Sequence, residues 1–211
     1  MKYALIIGIN YTGTTNALKG PVQDMYRIRN SLVGYEITLM PDRIATKENI
    51  LQTFALFIQK KGTLFFYFSG HGRKEPESIL TSDDDFITHT DFRTMIDTMD
   101  PESTLVSVID TCFSGNLFDL SYRWTGEWTD VEPVDTPGHV FLLSSSLETE
   151  TSLEYTIKTL SFGAFTHSYL HAIRAGPTWR QLIEHVTSHT HLQTPVLTTG
   201  QSENIDSLVL I

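Results

Sequence analysis

Two stretches of this sequence decide the fold: FFYFSGHG at residues 65–72 and VSVIDTCFSG at residues 106–115. Each begins as an apolar run of the kind found in buried parallel strands and ends in a turn of small residues. The first run leads to His71, and the second leads to Cys112, the single cysteine of the chain. Because ligands of open parallel sheets bind at the carboxyl ends of neighbouring strands, we expect these two side chains to share one crevice.

Apolar runs alternate with helical patterns along the rest of the chain. The predicted strands lie at residues 3–9, 36–40, 63–68, 104–109, 140–144 and 195–198, and the predicted helices at 21–32, 46–58, 88–99, 162–174 and 178–186. This alternation predicts an α/β fold with a doubly wound parallel sheet. Residues 207–211 are a candidate terminal strand. No linker divides the chain, so we predict a single domain over 1–211, with 116–137 as a mobile loop.

The composition excludes some classes of partner. The chain has 211 residues and a formal net charge of -10. This balance argues against nucleic acid or a membrane surface as a partner, because both require basic patches. No apolar run has the length of a membrane span, and the opening residues do not form a signal peptide. A single cysteine cannot make an intramolecular disulfide, so we expect a reducing, cytoplasmic location.

His71 and Cys112 together form a candidate base–nucleophile pair. A thiol attacks a carbonyl as its thiolate, and a histidine within hydrogen-bond reach takes up the proton and later delivers it to the leaving amine. The backbone N–H groups of Gly72 and Cys112 lie in tight turns and are candidate donors to the oxyanion. The alternative is that Cys112 packs in the core and that His71 is an ordinary loop residue.

The two stretches resemble the histidine and cysteine blocks of metacaspases, in the caspase clan of cysteine peptidases. Residues 4–11 (ALIIGINY), 18–24, 163–166 (GAFT) and 193–197 (QTPVL) are similar to the opening and closing blocks of that family, in the same order. The resemblance implies a caspase-like three-layer sandwich, with an about six-stranded, mostly parallel central sheet flanked by helices. It implies a cysteine endopeptidase of minimal form, without a prodomain or a long linker, whose catalytic dyad is His71 and Cys112.

The resemblance also implies a preference for Arg or Lys at P1, the substrate residue before the cleaved bond. The pocket positions of the family fall on Asp24, Ser69 and Asp110 of this chain. Two carboxylates in a concave site favour a guanidinium or ammonium group. The expected partner is therefore a protein or peptide with a basic P1 residue. The alternative is that Asp24 pairs locally and that Asp110 only braces its turn.

Calcium activates many metacaspases through clustered aspartates, whose oxygens suit this hard ion. Asp84 and Asp119 match two of these positions, but the paired-acid position before the third helix reads His89-Thr90-Asp91. Because two expected carboxylates are missing, we predict at most a weak calcium site at Asp84 and Asp119, and no required cofactor.

Two other functions stay open on the same fold. One is a catalytically inactive interaction module, a pseudo-protease, against which the presence of both His71 and Cys112 argues. The other is a caspase-clan peptidase with a different P1 preference. The resemblance further implies a monomer rather than the dimer that caspases form.

Overall fold

The structure, a computed structural model, describes residues 1–131, 135–147, 154–157, 160–190 and 193–211. The described strands are β1 (Lys2–Gly8), β2 (Glu36–Pro41), β3 (Thr63–Ser69), β4 (Gly72–Arg73), β5 (Ser78–Leu80), β6 (Phe86–Thr88), β7 (Thr104–Asp110), β8 (Tyr122–Trp124), β9 (Trp128–Asp130), β10 (His139–Ser144), β11 (Glu154–Ile157), β12 (Leu160–Gly163) and β13 (Val196–Thr199). The helices are α1 (Pro21–Ser31), α2 (Lys47–Ile58), α3 (His89–Ile96), α4 (Ala164–Ile173) and α5 (Trp179–His189).

The central sheet has eight strands, in the order β2-β1-β3-β7-β10-β13-β8-β9. The pairs from β2 through β10 are parallel, whereas β13, β8 and β9 join by antiparallel pairing. The predicted α/β class is confirmed, but the sheet is larger than the six strands expected. The additional strands β8 and β9 contain three residues each, which is too short for a period-2 pattern to reveal them.

Alternating side chains of the strands divide the core into two apolar clusters, one on each face of the sheet. On β3, Phe66 and Phe68 pack into the cluster that contains the apolar faces of α2 and α3. Phe65 and Tyr67 pack into the opposite cluster, with residues of α1, α4 and α5. A strand buried on both faces reads as a continuous apolar run, which is the pattern seen at 64–68. These two helical layers and the sheet make up the predicted three-layer sandwich.

The segment after Cys112 contains more order than the predicted loop at 116–137. Leu117 and Phe118 are buried, and the side-chain oxygen of Asn116 accepts a hydrogen bond from the backbone of Leu120. Strands β8 and β9 then extend the central sheet. Residues 132–134 lie outside the described residues, and mobility of the segment stays a prediction. The single-domain assignment likewise stays a prediction.

Two other boundaries differ from those predicted. The helix expected from 162 begins at Ala164, because residues 160–163 pair with β11 as β12. The candidate strand at 207–211 is not a strand, and its one ladder contact is an isolated bridge between Thr178 and Leu208. Within the described part of the chain, no helix combines the length and the apolarity needed to cross a membrane.

Candidate active site

The loops that carry His71 and Cys112 contact each other at the ends of β3 and β7. The parallel register places Ser69 opposite Asp110, so β3 and β7 end at the same level of the sheet. A Cβ atom built on Gly72 would overlap the carbonyl oxygen of Cys112. Glycine is therefore required where the two loops pass each other. The loops of His71 and Cys112 thus meet at neighbouring strand ends, and the pairing of the two side chains stays a prediction.

The loop after β1 holds the His71 residue from one side. The Tyr11 hydroxyl accepts a hydrogen bond from the backbone N–H of His71 and donates one to the carbonyl oxygen of Leu80, each at 2.8 Å. The Tyr11 and His71 rings also lie in contact, with centroids 4.8 Å apart. Burial raises the pKa of Tyr11 well above its usual range, so the hydroxyl keeps the proton that it donates.

The imidazole of His71 is held in a defined tautomer. Its Nε2 atom lies 2.8 Å from the carbonyl oxygen of Asn16. A carbonyl oxygen can only accept, so Nε2 carries a hydrogen. In the neutral ring, Nδ1 is then the atom with the free lone pair, and it is the atom that can take up a proton.

The turn that carries Cys112 is held by hydroxyl groups. The carbonyl oxygen of Thr111 accepts hydrogen bonds from Ser114 at 2.9 Å and from both Ser145 and Ser146 at 3.1 Å. The C=O and N–H of one peptide unit point in opposite directions. The three hydroxyls therefore direct the N–H of Cys112 away from the serines. Phe113 follows with a φ of 55°, a left-handed conformation that makes the turn abrupt.

Two of the three predicted substrate-binding residues are carboxylates that lie close together in the interior. Asp24 is fully buried and Asp110 is 5% exposed. Burial, with a smaller contribution from repulsion by Asp110, raises the pKa of Asp24 to about 7. The N–H of Gly163 and the guanidinium of Arg27 oppose this rise. Such mutual repulsion between two acids is relieved when a cation is placed between them.

Both carboxylates also have partners within the chain. Asp110 Oδ2 accepts hydrogen bonds from the backbone N–H of Thr166 at 3.1 Å and from its hydroxyl at 2.6 Å. Asp24 accepts one from the Gly163 N–H at 2.7 Å and one from Arg27 at 3.1 Å. These contacts place the acids against the first turn of α4, where the exposed N–H groups favour negative charge. The local pairing and bracing that the alternative interpretation expected are therefore present.

Ser69 lies close to the two acids and, like them, is buried. Its side chain is 4% exposed, and it lies one strand away from Asp110 in the same register. The structure thus assembles the three predicted pocket residues and closes the space around them.

The described residues do not fit a calcium ion. Asp119 Oδ2 lies 2.6 Å from Nδ1 of His89, and its backbone carbonyl accepts a hydrogen bond from Arg93 at 2.6 Å. Asp84 lies in an exposed turn with a φ of 63°. Across the described ranges, no three His, Cys, Asp or Glu side chains are grouped to hold a metal. The calcium dependence itself stays a prediction.

Several residues that shape the site were not identified from the sequence. They are Tyr11, Asn16, Ser114, Ser145, Ser146, Arg27 and Thr166. The run of three serines at 144–146, which begins at the last residue of a predicted strand, was an available signal. Asn16 acts through its backbone carbonyl, and a backbone contact leaves no signature in residue type.

The fold and the paired strand ends define a caspase-like α/β protein. The family model described as "Caspase domain" matches residues 1–204, and the chain therefore belongs to the caspase domain family. It is 35% identical to Metacaspase-7 of Arabidopsis thaliana over an alignment of 159 positions, and the match covers 63% of this chain and 39% of that protein. It is 31% identical to Metacaspase-1 of Candida glabrata over an alignment of 162 positions, and the match covers 62% of this chain and 41% of that protein.

The resemblance to metacaspases is thereby confirmed. The chain spans about two fifths of the length of the curated relatives that it matches. A crystal structure of a protein from Geobacter sulfurreducens has a TM-score of 0.76 to this chain, at 16% identity, and the match covers 96% of this chain and 94% of the other. At that identity the likeness concerns the fold alone.

Proposed function

We propose that this chain is a cysteine endopeptidase that uses His71 and Cys112 and cleaves after Arg or Lys. The observation that carries the proposal is the hydrogen bond from His71 Nε2 to the Asn16 carbonyl oxygen. It leaves Nδ1 as the basic nitrogen, on a loop that contacts the backbone of Cys112. A base in a defined tautomer, on a loop that contacts the loop of a half-buried cysteine, supports nucleophilic catalysis by this pair.

The proposed reaction proceeds in two halves. His71 takes the thiol proton, and the Cys112 sulfur attacks the carbonyl carbon of the P1 residue. The tetrahedral intermediate expels the amine, which receives the proton from His71, and a thioester remains on Cys112. A water molecule, deprotonated by His71, then attacks the thioester, releases the carboxylic acid and restores the thiol.

Two backbone N–H groups are proposed as the oxyanion donors. The N–H of Cys112 points away from the serines that hold the Thr111 carbonyl. Gly72 pairs with Ile79 of β5, while the neighbouring His71 carbonyl accepts from Leu80. Hydrogen-bonded and non-hydrogen-bonded positions alternate along such a pair. The N–H of Gly72 therefore points away from β5 and towards the side where Cys112 lies.

The preference for a basic P1 residue is supported by the proximity of Asp24 and Asp110. A cationic side chain that entered between them would stabilise both charges and would lower the raised pKa of Asp24. Because both acids are covered by the segment around Gly163 and Thr166, the proposal requires this segment to shift when substrate binds. A P1 aspartate would instead add a third negative charge.

The test uses matched fluorogenic peptides with Arg, Lys or Asp at P1. We expect cleavage of the Arg and Lys peptides, and we expect Cys112→Ala to lower kcat/KM by about 1,000-fold or more. Each assay is run with calcium and with a chelator. Cleavage of the Asp peptide alone would contradict the pocket assignment. Equal cleavage by wild type and Cys112→Ala would contradict the mechanism.

The buried, paired state of Asp24 and Asp110 favours a second candidate, a non-catalytic interaction module on the same fold. It predicts that no peptide is cleaved in either calcium condition and that iodoacetamide leaves Cys112 unmodified. Rapid alkylation of Cys112 that is slowed by His71→Ala would argue for the peptidase, because the imidazole then activates the thiol. Monomeric state and cytoplasmic location stay predictions.

A further inference from the structure

A basic groove lies on the face of the sandwich formed by α1 and α4. Its volume is about 760 Å³, and its lining includes the fixed cations Lys2, Arg27 and Arg174 and the imidazoles of His167 and His171. Among the described lining residues, no side chain carries a carboxylate, and Ile211, the last residue of the sequence, also lines the groove. In a chain of net charge -10, such a concentration of positive charge on one face is not expected from composition.

The cations of the groove are only partly neutralised. Throughout the described chain, no carboxylate lies within salt-bridge distance of Arg174, and Lys2 contacts the ring of Tyr35. The positive charges also act on one another. After burial, the charges of Arg27, His171 and Arg174 are what lower the pKa of His167. A multivalent anion would relieve this repulsion by accepting hydrogen bonds from several of these groups at once.

Arg27 connects the groove to the candidate substrate pocket. Its guanidinium lies 3.1 Å from Asp24 Oδ1 and stacks on the ring of Phe162 at 5.1 Å. The Arg27 side chain is 32% exposed, whereas that of Asp24 is 1% exposed. The buried acid therefore engages the guanidinium at one Nη atom, Phe162 covers a face, and the exposed remainder of the side chain is available to the groove.

We propose that this groove binds a compact anion carrying two or more phosphate groups, and that Arg27 couples its occupancy to Asp24. Lys2 and Arg174 contribute charge at the rim, and Arg27 contributes hydrogen-bond donors at the side nearest the pocket. Guanidinium groups suit phosphate because their donors match two oxygens at once. A bound anion competes with Asp24 for Arg27 and frees Oδ1 of Asp24 for a basic P1 side chain, while Oδ2 still accepts from the Gly163 N–H. This coupling rests on the proposed function, whereas the binding does not.

Binding is tested on the Cys112→Ala protein by calorimetry, with inorganic tripolyphosphate as the probe at low ionic strength. We expect Lys2→Gln with Arg174→Gln to weaken binding by about 10-fold or more, because two charge-assisted contacts are lost. The control is Arg43→Gln with Lys61→Gln, which removes the same charge elsewhere, and we expect less than about a 2-fold change.

Three further outcomes decide the binding proposal. Orthophosphate is expected to bind about 10-fold more weakly than tripolyphosphate, because it reaches fewer cations. A comparison of ATP with tripolyphosphate then distinguishes a nucleotide from an inorganic chain as the source of the phosphates. Undetectable binding of tripolyphosphate, or an equal loss in the groove and control variants, overturns the proposal.

Coupling is tested on the wild-type chain with the Arg-P1 peptide at pH 8. We expect saturating tripolyphosphate to lower KM by about 3-fold with little change in kcat, since the effect acts on substrate binding. A chelator is present in every assay, so that removal of calcium by the anion is not the cause. The Lys2→Gln, Arg174→Gln variant should show no such shift.

The experiments distinguish failure of the coupling, failure of the anion site and failure of the proposed peptidase activity. An unchanged or raised KM overturns the coupling and leaves the anion site standing. If no peptide is cleaved at all, the proposed peptidase fails, and the calorimetric result on the groove still decides the site.

Discussion

The two strand ends of the candidate site are supported in different ways. At the end of β3, His71 is held by one phenol and one backbone carbonyl, both from the loop after β1. At the end of β7, the turn of Cys112 is held through the Thr111 carbonyl by hydroxyls, two of which follow β10. In the order β1-β3-β7-β10, each inner strand end is therefore supported by the loop of its outer neighbour.

The two strand ends differ in how many side chains share the same supporting role. Tyr11 is a single side chain that serves two backbone groups, so its loss leaves both without a partner. Three hydroxyls converge on one carbonyl oxygen beside Cys112, and a carbonyl oxygen has only two lone pairs. The histidine side should therefore be the more fragile of the two, and the following variants test this comparison from the largest expected effect to the smallest.

Substitution of Gly72 should displace the His71 loop and the Cys112 loop together. In Gly72→Ala, the new methyl group overlaps the carbonyl oxygen of Cys112, so the two loops must separate. We expect kcat/KM for the Arg-P1 peptide to fall by about 100-fold, because small displacements of reacting groups are costly. Gly34→Ala is the control, since Gly34 has a φ of 78° and open space around its Cβ position. It should lower stability by about 1 kcal/mol and retain activity.

Removal of the Tyr11 hydroxyl tests the histidine side. Tyr11→Phe keeps the ring against His71 but leaves the His71 N–H and the Leu80 carbonyl without this partner. We expect about a 10-fold loss of kcat and a loss of about 1–3 kcal/mol in the free energy of unfolding. Tyr35→Phe is the matched control, because the buried Tyr35 hydroxyl has no hydrogen-bond partner among the residues that the structure describes. A pH–rate profile unchanged by Tyr11→Phe would argue against a positioning role.

Removal of serine hydroxyls tests the cysteine side. We expect Ser145→Ala or Ser146→Ala alone to lower kcat/KM by about 2-fold, because the remaining hydroxyls still satisfy the Thr111 carbonyl. The double variant should lose about 5-fold. Ser144→Ala is the control, since its hydroxyl bonds to Val196 instead. If Ser145→Ala and Ser146→Ala each lower activity as much as Tyr11→Phe does, the hydroxyls around the Thr111 carbonyl do not substitute for one another.

The pH dependence of stability tests Asp24, which lies in α1 and interacts with Asp110 at the end of β7. Its folded-state pKa of about 7 is above the ordinary value of 3.8, so the folded chain binds this proton more tightly than the unfolded chain. The stability that comes from this proton is present at acid pH and is lost as pH rises from about 4 to about 7.

We therefore expect Asp24→Asn to be more stable than wild type at pH 8, by about 1 kcal/mol, and to lose this advantage near pH 4. The measurement is urea unfolding at both pH values. The same variant should cleave the Arg-P1 peptide poorly, because the pocket has lost one of its two charges. The stability of Asp24→Asn is compared with that of wild type at each pH. If this difference favours the variant less at pH 8 than at pH 4, the raised pKa of Asp24 is contradicted.

Much of the architecture was predictable from patterns. The apolar runs at 3–9, 63–68 and 104–109 correspond to β1, β3 and β7, because central parallel strands are buried on both faces. The short strands β8 and β9 were missed, since three residues carry too little periodicity. Their pairing depends on β13, which is distant in sequence.

Within the candidate site, too, some features could be predicted from the sequence and others required the structure. His71 and Cys112 could be selected from the sequence because each ends an apolar run and has the chemistry of a base or a nucleophile. The burial of Asp24 and Asp110 could not be predicted, because it depends on the position of α4 over the strand ends. The pairing of His89 with Asp119, at a place where carboxylates were expected, also required the structure.

The sequence by itself determined the parallel strands of the central sheet and the identity of the residues at their carboxyl ends, because burial and turn formation follow from local composition. Tertiary structure alone decided how these residues are held. The tautomer of His71, the direction of the Thr111–Cys112 peptide and the hydrogen bond from Gly163 to Asp24 each depend on residues far apart in the chain. Such contacts arise only when strands and helices pack, since backbone carbonyls and buried charges act through their neighbours in space.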